Sequence, residues 1–167
     1  MSIYTDLTQK GVYEMVNNVT ISTIQNATED EEKVLDTLSF FLPEIINETD
    51  IIAETVETEG NFGNPIEIHT ITVEGKKARL VFEYVIDLLK TDERNINKIK
   101  DDLDLRIEKN KLYLRFDKQK ACLGECKLLD GDDTVRIVVN FKIFTPSGKE
   151  EKVRQEVLKR LENRGVF

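Results

Sequence analysis

The chain has 167 residues, 34% of them charged, and a formal net charge of −8; that is the length of one domain, and the balance argues against phosphate binding by bulk charge. No run of 18 apolar residues and no basic-then-apolar leader occurs, so the expectation is a cytoplasmic protein with no membrane span and no classical secretion signal. The charged fraction exceeds the usual figure of about 25% and fits the ion-pair-rich surface of a heat-adapted protein.

The charge is unevenly spread. Residues 1–67 hold 14 acidic side chains against Lys10 and Lys33 alone, whereas residues 94–127 hold 10 basic and 6 acidic ones. A fold could therefore present one acidic and one basic face.

Residues 1–15 show no clear period and read as an N-terminal arm, leaving 16–167 as a single α+β domain. Residues 16–26 predict a first strand, with Val19, Ile21 and Thr23 alternating against Thr20, Ser22 and Ile24. Thr28 to Glu31 reads as a capping box opening a helix, whose stripe is Val34, Leu35, Leu38, Phe41 and Leu42 and whose end is Pro43. Capping accounts for the acids Glu29 to Glu32 without an ion.

Residues 50–59 predict a second strand and 66–73 a third, whose apolar phase shifts near His69 and suggests a bulge. His69 has no catalytic companion in the sequence and reads as structural or surface. Between these strands, Gly60-Asn61-Phe62-Gly63-Asn64-Pro65 predicts a loop with positive-φ positions at Gly and Asn, whose amides could face an anion or a sugar-phosphate backbone.

Residues 76–90 predict a helix packed on more than one side, with Ala78, Val81, Phe82, Val85, Leu88 and Leu89 inward. Its first turn carries Lys76, Lys77 and Arg79, the wrong sign for the helix dipole, and phosphate contact is one reason for such a choice. A surface helix follows over 93–103. Then come strands at 105–107 and 111–117 around a hairpin turn in which Asn110 takes the left-handed position.

Lys118-Gln119-Lys120 then leads into a further expected strand over 121–129, with Cys122 and Cys126 as small residues on one face. One histidine and two cysteines cannot make a four-ligand zinc site alone, and neither a metal nor a cofactor is expected. Asp130-Gly131-Asp132-Asp133 is a hairpin turn without calcium-loop spacing. The strand over 133–144 organises the chain: Val135, Ile137, Val139, Phe141 and Ile143 share one face, and Arg136, Asn140 and Lys142 the other. Ser147 with Glu150 predicts a second capping box, opening a final helix with the stripe Val153, Val157, Leu158 and Leu161 that would cover this strand.

Three blocks resemble a known family. They are Thr28 to Leu35, Glu59-Gly60 with Gly63-Asn64-Pro65-Ile66, and Phe116-Asp117-Lys118-Gln119 leading to Leu123-Gly124-Glu125. They are similar to a group of small archaeal proteins, mostly uncharacterised, regarded as RNA-binding or exosome-associated. The resemblance covers about residues 16–145. It implies an α+β fold like that of the ribosomal large-subunit protein that contacts 5S RNA: a mostly antiparallel mixed sheet of five to seven strands under about four helices. Where that family often has His between the two loop glycines, this chain has Asn61 and Phe62.

The expected function is therefore non-catalytic RNA binding, with RNA-processing proteins as further partners. In this reading Lys76, Lys77, Arg79, Arg115, Lys118 and Lys120 hold phosphates and Gln119 and Asn64 reach ribose or base edges. Phe62 stacks beside Asn61 and Gly63. The alternative is an interaction module, a homodimer or a dock for a basic partner through the acidic half. An enzyme is least supported: there is no Ser/His/Asp set and no G-x-x-x-x-G-K loop, and only Asp130, Asp132 and Asp133 suggest metal chemistry.

Overall fold

The computed structural model describes residues 15–167; the N-terminal arm lies, apart from Met15, outside the described residues. The fold is α+β, as expected. Six antiparallel strands form one sheet: β1 (Val16–Asn26), β2 (Ile51–Glu59), β3 (Pro65–Glu74), β4 (Ile107–Glu108), β5 (Lys111–Asp117) and β6 (Thr134–Phe141). Their order across the sheet is β2-β3-β1-β6-β5-β4. Among the described residues five helices accompany them: α1 (Glu31–Ser39), α2 (Lys76–Leu89), α3 (Glu93–Asp102), α4 (Lys118–Cys122) and α5 (Lys149–Asn163).

The two-residue alternation of β1, β5 and β6 explains why the helices gather on one side. Val19, Ile21, Leu112, Leu114, Phe116, Val135, Ile137, Val139 and Phe141 are buried and join one core with Leu38 of α1, Val81, Phe82 and Val85 of α2, and Val157 and Leu161 of α5. Burying such side chains stabilises by roughly 1.5–3 kcal/mol each. Phe82 meets Phe141 edge-on at 5.8 Å between ring centroids, and Phe41 lies 4.8 Å from Phe116. On the opposite face, Thr20, Ser22, Thr70, Thr72, Tyr113, Arg115, Arg136 and Val138 are exposed or half-buried, and no helix among the described residues covers them.

Several local expectations are corrected. Asp30, not Thr28, caps α1, its carboxylate accepting from the Glu32 amide at 3.0 Å, while Glu29 turns back to accept from the Asn26 amide. β3 runs unbroken in register with both neighbours, so there is no bulge at His69; the imidazole occupies a core-facing position an apolar residue could have held. Lys109, not Asn110, takes positive φ, because the Asn110 side chain is committed to the Phe141 carbonyl.

Residues 105–107 begin as a 3-10 turn over Leu103–Arg106 and give only the last residue to β4. Residues 118–122 form a helix capped by Asp117, and the segment after it touches the sheet only at Leu128 opposite Phe116, so Cys122 is exposed and Cys126 buried without a strand between them. Gly148 replaces Ser147 as the cap of α5, which lies over β4 and β5 and shares one core with the buried face of β6.

Candidate nucleic-acid interface

The two basic sets read from the sequence fall at opposite ends of the sheet. Gly75 donates to the Asn17 carbonyl, so the first turn of α2 sits where β1 begins. The loop after β2 sits where β1 ends, at Asn26 opposite Ile66, roughly 30 Å further along at about 3.3 Å per residue. In the first set, Lys77 Nζ is 2.7 Å from Asp50 Oδ2 and Arg79 Nη1 is 2.9 Å from Glu83 Oε1. Lys76 is exposed and makes no ion pair among the described residues.

At the other end, Asn61, Asn64, Lys118 and Gln119 do converge, lining a cleft of about 710 Å³ with Ile24 and Ile66 at its base. Phe62 at its rim is fully exposed at φ 67, with Gly63 following at φ 74. A phenylalanine held in the left-handed region costs about 1–2 kcal/mol.

The cleft is not a basic one. Lys118 is only 3% exposed, and its ammonium bonds the Ile24 carbonyl at 2.8 Å, Glu29 Oε1 at 2.9 Å and Asp133 Oδ1 at 3.1 Å, which uses its three protons. Burial pushes the Glu29 carboxyl up, but the Asn26 amide and the Lys118 ammonium outweigh it, and the net shift is downward. Asp133 is lowered in the same way: burial raises it, and Gln119 and Lys118 more than offset that. Gln119 donates to Asp133 at 3.0 Å, and Lys120 lies 3.5 Å from Glu125.

Arg115 is placed differently. It projects from β5 onto the helix-free face, directly opposite Arg136 of β6. Both are exposed, and neither makes an ion pair among the described residues. Like charges directly opposite on neighbouring strands destabilise a sheet by up to about 1 kcal/mol. The Arg136 guanidinium lies 5.2 Å from the Tyr113 ring centroid, and Lys111, two residues along β5 from Tyr113, is also unpaired among the described residues.

Two of the three carboxylates that line the groove are already engaged, and the third, Glu108, makes no ion pair among the described residues. Asp102 is held by Arg106 through two bonds of 2.7 and 2.8 Å, and Asp130 by Lys98 at 2.9 Å, with Arg106 at 3.7 Å. Lys98 pulls the Asp130 carboxyl below its usual range against the opposing effect of burial, and the charges of Arg106 and Arg115 add to the lowering. The groove has a volume of about 510 Å³, and Tyr113, Arg115 and Arg136 line it together with Arg106, Asp102, Glu108 and Asp130, three guanidiniums and three carboxylates. Two guanidinium forks beside an aromatic ring suit phosphate oxygens and an unpaired base.

Arg136, Tyr113 and Lys111 were missed as site residues. The sequence places Arg136 on the polar face of its strand, but only the register of β5 against β6 brings it to Arg115, and the 16 residues between those strands conceal that register.

The chain belongs to the family whose model is described as RNA binding, which matches residues 18–141. An uncharacterised protein of Methanocaldococcus jannaschii is 56% identical over 147 residues, 88% of this chain and 99% of that one. A protein of Pyrococcus abyssi named as RNA-binding is 38% identical over 141 residues, 83% of this chain and 89% of that one. Among solved structures, a DUF54 protein from Methanothermobacter thermautotrophicus is similar in fold, with a TM-score of 0.69 and 26% identity over 88% of this chain and 98% of that one.

Proposed function

We propose that this protein binds RNA without acting on it chemically, and that the RNA lies on the helix-free face of the sheet across β5, β6 and β1. One observation carries the placement: Arg115 and Arg136 face each other on adjacent strands and neither has a carboxylate at ion-pair distance among the described residues, a repulsion that a phosphate relieves. In this reading Arg115, Arg136 and Lys111 hold phosphates, and Tyr113 offers a ring to a base. Asn61, Phe62, Gly63, Asn64 and Gln119 extend the surface at the far end of β1 and β3, where Phe62 stacks and the amides reach ribose or base edges. Lys118 acts indirectly by tying that corner together. The family match and the Pyrococcus relative support RNA as the ligand.

Fluorescence anisotropy with single-stranded and structured RNA at 50 and 200 mM salt tests this. Binding should weaken with salt, and replacing Arg115 and Arg136 together should flatten the logarithmic salt dependence by about 1.4, at about 0.7 per phosphate on a single strand. No binding of any RNA at micromolar protein and 50 mM salt would end the proposal.

A protein partner has one observation in its favour. The outer strand β2 is exposed along nearly all its length, its free edge carries no neighbour among the described residues, and Glu54, Glu57 and Glu59 make it acidic. Attachment to a basic subunit of an RNA-processing assembly would use that edge and leave the arginine face open. A partner that stays bound after ribonuclease treatment and is lost when Glu54 and Glu57 become Lys would support it.

A further inference from the structure

The helix-covered face of β3 holds a group of side chains that RNA binding does not use. His69 lies in register between Thr23 of β1 and Thr55 of β2 and is 3% exposed. Its Nδ1 is 2.9 Å from Thr55 Oγ1, and its Nε2 is 2.7 Å from Gln25 Oε1 and 3.4 Å from Glu67 Oε2. Glu31, from the first turn of α1, brings a carboxylate over the same point, so that one oxygen of Glu31, one of Glu67 and an imidazole nitrogen lie within 4.8 Å of one another. Glu57 stands directly opposite Glu67 on the neighbouring strand, and both line a cleft of about 490 Å³ that opens to solvent.

Some carboxylates of the described residues are ion-paired and others, these among them, are not. Glu29, Asp50, Asp87, Asp92, Asp102 and Asp133 are each tied to a lysine or arginine. Among the described residues, no lysine or arginine pairs with Glu31, Glu57 or Glu67. Glu31 and Glu67 thus meet beside a buried imidazole with no lysine or arginine paired to either among the described residues. The imidazole is also held from behind by a hydroxyl, the arrangement by which metal-ligating histidines are oriented.

We propose that Glu31, Glu67 and His69 form a site for a divalent transition-metal ion of the zinc or manganese kind. One imidazole and two carboxylates suit such an ion better than magnesium or calcium, which take oxygen alone. The 3.4 Å between His69 Nε2 and Glu67 Oε2 equals the separation of two ligands about 2.1 Å from a tetrahedral ion. Glu31 is exposed and completes the set by a side-chain rotation, and the cleft brings water to Glu67.

Loading switches the imidazole tautomer with no net loss of a proton from the ring. In the metal-free protein Nε2–H donates to Gln25; on binding, Nε2 gives up that proton and offers its lone pair to the metal, while Nδ1 takes a proton from solvent and donates it to Thr55.

The proposal is independent of RNA. The full chain, stripped with chelator and dialysed, would be titrated calorimetrically with zinc chloride, manganese chloride and magnesium chloride, with bound metal measured separately. One equivalent of zinc or manganese should bind at micromolar concentration or tighter, magnesium should not, and Glu31→Gln and Glu67→Gln should each weaken binding about tenfold or more. Glu31 is exposed, so Glu31→Gln leaves the fold intact and decides the matter even if His69→Gln does not fold. Long-range 15N–1H NMR of His69 should show the change from the Nε2–H to the Nδ1–H form on loading. No stoichiometric uptake, or uptake unchanged in Glu31→Gln and Glu67→Gln, would overturn the site and leave His69 as a core residue paired with Gln25 and Glu67.

Discussion

Arg115 and Lys118 stand three residues apart, one at each side of a strand end, and have opposite fates. Arg115 points to the open face, where its closest cross-strand neighbour is another arginine. Lys118 points under the sheet, where two carboxylates and a carbonyl surround its ammonium. Both read as cations of one basic stretch in the sequence, yet only one is offered to a ligand. What decides the difference is the direction imposed by the strand and by the turn into α4, since a period of two reverses the face at every residue. A count of lysines and arginines therefore overstates the basic surface. The informative quantity is which cations the fold leaves without a carboxylate.

The sharpest test of that contrast is Lys118→Met. It leaves Glu29 and Asp133 without their cation and the Ile24 carbonyl without its donor, and loss of one partner of a buried pair is strongly destabilising. Because Asp133 is half exposed and can rehydrate, the expected loss is about 2–4 kcal/mol at pH 7, below the upper end for a fully buried pair. Urea denaturation measures it. RNA affinity of the folded variant should stay within about twofold of the parent; a tenfold loss would show that Lys118 touches the ligand after all.

Replacing Arg115 and Arg136 together with alanine should do the reverse. RNA affinity at 100 mM salt should fall about 10–30-fold, as expected for two lost charge-assisted contacts. Stability should be unchanged or rise by up to about 1 kcal/mol as the cross-strand repulsion disappears. A fall in stability with unchanged affinity would move the interface elsewhere.

How far the sequence revealed this contrast depended on distance along the chain. The strict alternations of 16–26, 111–117 and 135–141 placed β1, β5 and β6 and their buried faces, because half-buried strands leave a local mark. The helix over residues 76–89 was equally legible from its apolar belt. Residues 118–120 suggest a lead into a strand over 121–129 because the helix at 118–122 is too short to show a period, and its Asp117 cap is visible only as a bond from the Lys120 amide. Local turn chemistry also misled at 109–110, where asparagine is the better left-handed residue alone but is held by a tertiary bond. Of the candidate site, Arg115 and the loop at 60–64 were legible. Arg136 opposite Arg115, and Glu31 above His69, depend on pairings between segments 21 or more residues apart, which no local pattern encodes.

Acid should narrow the gap between the parent and Lys118→Met. The carboxyls of Glu29 and Asp133 are both lower in the folded protein than their ordinary values of 4.5 and 3.8. Their contribution is therefore fully present above those values and disappears as pH falls through the lowered ones. Once both are protonated, the Lys118 ammonium has lost its ionised partners, and removing it costs less. Urea midpoints of the two proteins compared from pH 7 down to pH 3 should converge below about 4.5. A gap that stays constant would assign the stabilisation to the Ile24 carbonyl and to packing instead.

The smallest effect is expected at the distant set. Lys77 meets Asp50 at 2.7 Å, but the lysine side chain is 38% exposed and the pair lies at the surface. Exposed pairs contribute about 0–1 kcal/mol, so Lys77→Ala should lower stability by less than about 1 kcal/mol. The residue sits at the opposite end of β1 from the loop at 60–64, its ammonium is turned toward Asp50, and RNA affinity should change by less than about twofold. Anisotropy on the same RNA as the double-arginine variant makes the comparison direct. A loss at Lys77 comparable to that at Arg115 and Arg136 would mean that the RNA follows β1 along its whole length, and that ion pairing in the free protein does not remove a cation from the interface.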